Sequence, residues 1–304
     1  MWNFNSYYRD MISSIEEEKL STRIIIDVVL LIIVAIPIPL FYTGVFKPYQ
    51  RGFFCDDETI QYPYRDSTVS DFALYVGGLA IGILAIFLCE FVRKLFVKSE
   101  DENVFYVFDR RVPSSVLYIY SSTSLFLFGA FIVEIGTNFI KYTLGRLRPN
   151  FIDVCQPDFD CSSLTNPHTF VENYTCTNPD TYSVDDSRLS FPSGHSSFAI
   201  YAVLFSVIYL HKCLICPHSK LLRPAVQFIL FLMGAYTAVS RIGDNKHHWS
   251  DVVGGLTLGS IIAVLMLRPD TECRRTFREN YFRMGNLYDV VSCPSDTSLY
   301  IPCK

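Results

Sequence analysis

Charge is scarce in this sequence: only 18% of its 304 residues are charged, whereas a soluble globular domain has about 25%. Hydrophobic residues make up 50% of the chain, and they gather into runs that approach the length of a bilayer crossing. This distribution excludes a disordered chain and a small disulfide-stapled module, and it argues against a soluble enzyme. The formal net charge of −4 gives no electrostatic reason to expect a nucleic acid partner.

Internal repeats, low-complexity tracts and a cleavable leader are also absent from the sequence. The first apolar run is too long for a signal peptide and lacks a small-x-small cleavage site. We therefore predict one membrane domain over residues 24–267, with a long outer loop at 142–192. A cytosolic segment, 1–23, would precede this domain, and a cytosolic tail, 268–304, would follow it.

Six apolar runs are candidate transmembrane helices, because a helix needs about 20 mostly apolar residues to cross the hydrocarbon core. Three are long, and the last three reach spanning length only by recruiting their flanks. The runs are Ile24 to Phe46, Phe72 to Val92, Val116 to Ile140, His195 to Leu210, Pro224 to Val239 and Val252 to Leu267. We predict an all-α, polytopic membrane protein with six transmembrane helices and both termini on one face.

The basic residues predict the orientation of the chain in the bilayer. Of the 26 Lys and Arg residues, 17 lie on the same side as the termini, so the positive-inside rule places both termini in the cytosol. Asn173 begins a sequon in the third loop, and such asparagines are glycosylated only on the luminal or extracellular side. We expect an integral membrane protein, at the plasma membrane, whose functional face is extracellular or luminal.

Four of the ten cysteines fall on the outer side in this topology, an even number in an oxidising compartment. They are Cys55, Cys155, Cys161 and Cys176, and all three of their pairings remain open. On the inner side, the Cys213-Leu-Ile-Cys216 spacing resembles a zinc or redox half-site. No second pair stands nearby, so ordinary thiols or palmitoylation are the better interpretation.

The first polar cluster ends the third predicted span. Lys141 and Arg148 are seven residues apart, so a continuing helix would put both on one face, and Pro149 disfavours helix at Arg148. An ordinary basic stop is the alternative, but these cations lie on the outer side, where the topology rule does not require them. Glu134, inside the span, could pair with Lys141 along the same face.

The second cluster, Pro192-Ser193-Gly194-His195, opens the fourth predicted span. A helix amino-terminus presents free backbone N–H groups and the positive end of its dipole. Gly194 would let a ligand approach the backbone, and Ser193 could act as a cap or as a donor. A simple helix start is the alternative to the anion site that this arrangement favours.

The third cluster runs from Ser240 to Asp251. His247 and Asp251 are four residues apart, so on one helix the carboxylate can reach a ring nitrogen and make the imidazole a nucleophile or base. Arg241 offers a forked donor that matches phosphate oxygens. A metal site on His247, His248 and Asp251 is the alternative, but adjacent histidines point differently on a helix and no acidic cluster completes a shell. We predict neither a metal nor a cofactor.

All three clusters fall on the outer side of a six-span topology. Lys141, Arg148 and Arg241 supply three cations, and His195 and His247 supply two titratable groups. Such a set suits a phosphate group of charge near −2 with two axial positions.

Together the clusters have the spacing K-x6-RP, PSGH and SR-x5-H-x3-D, which resembles the three-part signature of the type 2 phosphatidic acid phosphatase superfamily. The resemblance is most extensive to the animal lipid phosphate phosphatases (phospholipid phosphatases, including the Wunen type), and it runs from about Ile24 to Leu267. It includes PYQRGFFCDDE from Pro48, GRLRPNFIDVC from Gly145, RLSFPSGHSSF from Arg188 and KHHWSD from Lys246.

The resemblance implies a helical core of the type 2 phosphatidic acid phosphatase/vanadium haloperoxidase kind and a magnesium-independent phosphatase for lipid phosphates in the bilayer. It also implies roles for individual residues. His247 would form a phosphohistidine with Asp251 holding its ring, and His195 would protonate the leaving alkoxide. The phosphoryl oxygens would be bound by Lys141, Arg148, Ser193, Gly194 and Arg241. Family members also form homo-oligomers.

Two other functions remain open on the sequence. One is a non-catalytic membrane scaffold or lipid transporter that uses the pocket only to bind. The other is a relative that acts on a soluble sugar phosphate or transfers phosphocholine.

Overall fold

The computed structural model describes residues 4–96, 104–159, 161, 166, 168–214 and 219–267. Over these ranges the chain is mostly helical, which confirms the predicted fold class. The helices are α1 (Phe4–Ala35), α2 (Pro37–Tyr42), α3 (Asp71–Phe96), α4 (Ser114–Leu144), α5 (Phe151–Cys155), α6 (Thr181–Asp186), α7 (Gly194–Cys213), α8 (Leu222–Gly243) and α9 (Trp249–Leu267). The predicted tail, 268–304, and Cys216 lie outside the described residues.

Six helical stretches in the described part of the chain are long and apolar enough to cross a membrane, as predicted. They are Leu20–Tyr42, Asp71–Leu95, Ser114–Leu144, Gly194–Cys213, Leu222–Gly243 and Trp249–Leu267. The first is shared by α1 and α2, which meet at Pro37, a residue without the backbone N–H that a continuous helix needs.

Among the helix ends that differ from the predicted runs, two lie at the candidate-site end of the long first and third spans. The first span ends at Tyr42 rather than Phe46, because Gly44 turns into the left-handed region at φ +74°. The third span continues past Ile140 to Leu144 and ends at Gly145, whose φ is +56°. A side chain at Gly145 would collide with the Tyr49 carbonyl. The helix therefore holds Lys141 in its last turn but does not continue to Arg148.

The core of the bundle is α7. It packs against α3, α4, α8 and α9, and 72% of its apolar stretch is buried by protein, against 6% for the first span. Its crossing with α9 is close because Gly255 and Gly259 face it: a Cβ at Gly259 would collide with the Ser197 carbonyl. Such small residues let two membrane helices approach backbone to backbone, which joins the start of α7 to the start of α9.

The loops at the candidate-site end of the bundle form a small layer of their own. Two disulfides, Cys55–Cys161 and Cys155–Cys176, select one of the three pairings that the sequence left open. A two-stranded antiparallel sheet of β1 (Phe53–Phe54) and β4 (Phe170–Val171) joins the first loop to the third. At the other end of the bundle, β2 (Val104–Val107) and β3 (Arg110–Pro113) form a hairpin between α3 and α4.

Candidate active site

A cavity of about 500 Å³ lies where the C-terminal ends of α4 and α8 meet the N-terminal end of α7. The three predicted clusters meet in it. Lys141, Arg148, Gly194, His195, Arg241 and His247 all line its wall. The three polar stretches, which are separate in the sequence, therefore share one cavity.

Two arginines in the cavity wall have N–H donors without an acceptor among the described residues. Arg148 and Arg241 are 6% and 3% exposed. Nη2 of Arg148 lies 2.5 Å from Oδ1 of Asp186, and Nη1 of Arg241 lies 3.4 Å from Oδ2 of Asp244. Within the residues that the structure describes, the buried Nε atoms of both arginines have no hydrogen-bond partner. Because unpaired buried donors are costly, the pair is suited to an anion in the cavity.

The start of α7 lies directly beside the α4 cation. A Cβ at Gly194 would come within 3.4 Å of Lys141 Nζ, so the absence of a side chain leaves room at the helix terminus. Ser193 is the N-cap of α7. Its Oγ accepts one hydrogen bond from the backbone N–H of Ser196 at 3.4 Å and another from the Ser196 hydroxyl at 3.0 Å. Ser193 is fully buried, and its observed role is that of the cap rather than of a donor in the cavity wall.

The ring of His195 is held by the loop between α2 and α3. Its Nε2 lies 2.9 Å from the Val69 carbonyl oxygen, a distance at which Nε2 carries the proton and donates. The same loop is held to the α8–α9 turn, where Thr68 donates to both carboxylate oxygens of Asp244 at 2.9 and 2.6 Å. The Nδ1 atom of His195 is therefore the nitrogen left for chemistry.

His247 lies in the turn before α9 and is 2% exposed. Its Nδ1 is 3.9 Å from Oδ2 of Asp251, longer than a hydrogen bond, and has no partner among the described residues. The predicted contact thus brings the two groups close without a hydrogen bond. The ring that does bond this carboxylate is His248, with Nδ1 at 3.1 Å. His248 does not line the cavity, whereas His247 does.

Asp251 is fully buried behind the cavity and is surrounded by donors. Its Oδ1 accepts from Arg146 at 2.5 Å, and its Oδ2 accepts from Ser190 at 2.6 Å and from the His248 backbone N–H at 2.9 Å. The roles of Arg146 and Ser190 were not predicted from the sequence. Their positions inside the GRLRP and RLSFPSGH stretches are the only indication that the sequence carries.

Burial and charge keep His247 neutral. Desolvation lowers the pKa of this imidazole well below its usual value, and the neighbouring charges of Arg148, Lys141 and Arg241 lower it further. The neutral form is the one with a free lone pair for attack on phosphorus.

Lys246 is a fourth cation in the cavity wall. It lies in the KHHWSD stretch, but no role was predicted for it from the sequence. It is 6% exposed, and its Nζ lies 3.7 Å from the ring centroid of Tyr64. Burial, followed by the charge of Arg148, lowers the pKa of Lys246 to about 8. Its ammonium is therefore charged at neutral pH but titrates not far above it.

Two further predictions concern residues around the site. Asn173 is exposed in the third loop, and its glycosylation stays a prediction. In the described part of the chain, no group of three or more His, Cys, Asp or Glu side chains is placed to hold a metal ion. His247, His248 and Asp251 do not form such a group, and Asp251 accepts hydrogen bonds from Arg146 and Ser190.

Comparison with known proteins agrees with this geometry. A family model for the PAP2 superfamily matches residues 122–274. The chain is 36% identical to Phospholipid phosphatase 1 of Rattus norvegicus over 261 residues, covering 84% of this chain and 88% of that protein. It is 37% identical to Phospholipid phosphatase 2 of the same species over 265 residues, covering 83% and 90%. No solved structure matches it. The chain belongs to the PAP2 superfamily.

Proposed function

We propose that this protein hydrolyses lipid phosphate monoesters at the outer or luminal face of a membrane, without a metal ion, through a phosphohistidine on His247. The substrate class is phosphatidate, lysophosphatidate, ceramide 1-phosphate and sphingosine 1-phosphate. The observation that carries the proposal is the convergence of Lys141, Arg148, Arg241, His195 and His247 on one cavity at the ends of membrane-spanning helices. The names of the rat relatives support the same class of reaction.

In the first step, neutral His247 attacks phosphorus and the bond from phosphorus to the lipid oxygen breaks. Protonated His195 gives its Nδ1 proton to the departing alkoxide, while its Nε2–H stays on the Val69 carbonyl. The cations of the wall stabilise the charge that develops on the phosphoryl oxygens. Asp251 is a positioning residue: the His247 ring needs to move only about 1 Å to reach hydrogen-bond distance.

In the second step, a water molecule attacks phosphorus and the nitrogen–phosphorus bond breaks. His195 takes the proton of this water, which returns both histidines to their starting states and releases inorganic phosphate. The lipid portion stays in the bilayer because the cavity lies among the ends of the membrane-spanning helices. Association into homo-oligomers, which the family resemblance implies, stays a prediction.

The experiment is the release of phosphate from exogenous lysophosphatidate by intact cells that express the wild type or His247→Ala. We expect wild-type cells to release phosphate, also after chelation of divalent cations, and His247→Ala to abolish turnover because the nucleophile is gone. His168→Ala is the matched control, since this exposed histidine bonds Asp56 on the outer loops and should leave the rate unchanged.

Each rival function has its own outcome in this experiment. Appreciable turnover by a normally expressed His247→Ala protein would contradict the mechanism. A cellular phenotype that persists in that variant would favour a scaffold or transporter. Faster hydrolysis of a water-soluble sugar phosphate than of lysophosphatidate would favour the third possibility, and a strong requirement for a divalent cation would contradict metal independence.

A further inference from the structure

A polar cluster continues the cavity from the cationic site into the membrane-spanning part of the bundle. Glu134 and Asn138 of α4 are 8% and 5% exposed. Oε1 of Glu134 accepts from Asn138 Nδ2 at 2.9 Å and from the Tyr42 hydroxyl of α2 at 2.5 Å. All three side chains, and Tyr75 of α3, line the same cavity as His195 and His247.

The bond from Tyr42 to Glu134 is one of at least two hydrogen bonds that hold α2 against α4. A second contact does this with a backbone acceptor: the Tyr142 hydroxyl donates to the Phe41 carbonyl. An ionisable side chain inside a membrane span is costly, and a neutral acceptor would satisfy Tyr42 equally well. Glu134 instead adds an acceptor of opposite sign to the four cations of the outer wall, on the same cavity surface.

The spacing along α4 matches the chemistry of a lipid phosphate. Asn138 and Glu134 precede Lys141 by three and seven residues, so they share its helix face and lie about 4.5 and 10 Å deeper along the axis. A phosphate beside Lys141 would leave the first atoms of the lipid backbone roughly one helical turn deeper, about 5 Å. In a monoacyl or sphingoid lipid, a free hydroxyl or ammonium group stands there.

We propose that Glu134, Asn138 and Tyr42 form a subsite for the hydroxyl or ammonium group next to the phosphate ester of the lipid. The inference rests on the proposed phosphatase function and names the lipids that it favours. Lipid phosphates with a free donor at this position bind the carboxylate by a charge-assisted hydrogen bond. Alkyl phosphates of the same length, which have no donor, cannot.

The test compares kcat/KM for oleoyl lysophosphatidate, sphingosine 1-phosphate and oleyl phosphate with the purified full chain in mixed micelles. The wild type should favour the two donor-bearing lipids about tenfold or more, the magnitude of a hydrogen bond to a charged group. Glu134→Leu should reduce this ratio to near one. Thr257→Leu is the matched control: Thr257 is an exposed polar residue of α9 that bonds only its own helix, at Val253, and its replacement should leave the ratio unchanged.

An unchanged preference in Glu134→Leu, with all three substrates turned over, would overturn the subsite and leave the phosphatase proposal standing. Failure of the wild type to hydrolyse any of the three would contradict the phosphatase proposal instead. Should Glu134→Leu fail to fold, Glu134→Gln keeps the shape and an acceptor for Tyr42. Loss of the charge should then lower the preference for sphingosine 1-phosphate about tenfold, and an unchanged preference would overturn the subsite.

Discussion

The helices α1 and α7 are both long and apolar, yet only α7 carries one of the site histidines. The first span has a mean hydropathy of 3.0 and is 6% buried by protein, whereas α7 has 1.4 and is 72% buried. Lipid can solvate the first span on nearly every side, so hydropathy alone specifies it. The buried helix instead carries small polar residues that bond inward, such as Ser197 to Thr137 at 2.9 Å. Of these two spans, the one with the weaker hydropathy carries a site histidine.

The largest effect on activity is expected from a substitution at the start of α7, the buried helix of this comparison. His195→Ala should lower kcat for lysophosphatidate by about 10²–10⁴-fold, because the variant lacks the proposed general acid and base. The matched control within the same helix is Ser206→Ala, which removes a buried hydroxyl that bonds only the Ala202 carbonyl. A nearly normal rate in His195→Ala, measured by phosphate release, would remove this residue from the mechanism.

A smaller effect is expected where α9 crosses α7. Gly259→Ala places a methyl group against the Ser197 carbonyl, and such overpacking typically costs about 1–3 kcal/mol. Gly77→Ala in α3 is the control, because nothing lies within 4 Å of its Cβ position. Thermal unfolding in detergent should show a lower midpoint for the first variant only. Equal midpoints would contradict the claim that stability depends on close packing at the crossing of α7 and α9.

The smallest effect is a pH dependence of substrate binding through Lys246. Since its pKa is lowered to about 8, the ammonium is charged below that pH and becomes neutral above it. The KM for lysophosphatidate should therefore rise severalfold between pH 8 and 10. This rise corresponds to part of the free energy that a hydrogen bond to a charged group contributes. Lys246→Arg, whose guanidinium stays charged, should flatten the rise. An identical pH profile in both proteins would exclude Lys246 from phosphate binding.

The sequence predicts the six spans and the convergence of the polar clusters for physical reasons. Hydropathy depends on composition over about 20 residues, so six crossings are visible without coordinates. Residues such as His195 and His247 are identifiable because their spacing along the chain is part of the resemblance. Their convergence then follows from a topology that places all three clusters at one end of the bundle.

What the sequence could not predict are contacts between distant segments. The Val69 carbonyl that holds His195 has no side-chain signature, and four cysteines allow three pairings until the loops are placed. The four-residue spacing of His247 and Asp251 also does not decide which histidine bonds the carboxylate. In the folded chain the carboxylate bonds His248 and Arg146, because the helix of α9 begins only at Trp249 and leaves His247 in the preceding turn.

The central claim is that His247 transiently carries the phosphoryl group. The most direct measurement uses His195→Ala and a long-chain aryl phosphate, whose phenolate departs without needing a proton. Rapid mixing should show a burst of one phenol per active site and, after an alkaline quench, a phosphoryl group on His247 by mass spectrometry. A steady release without a burst, or a phosphoryl group on any other residue, would contradict the account.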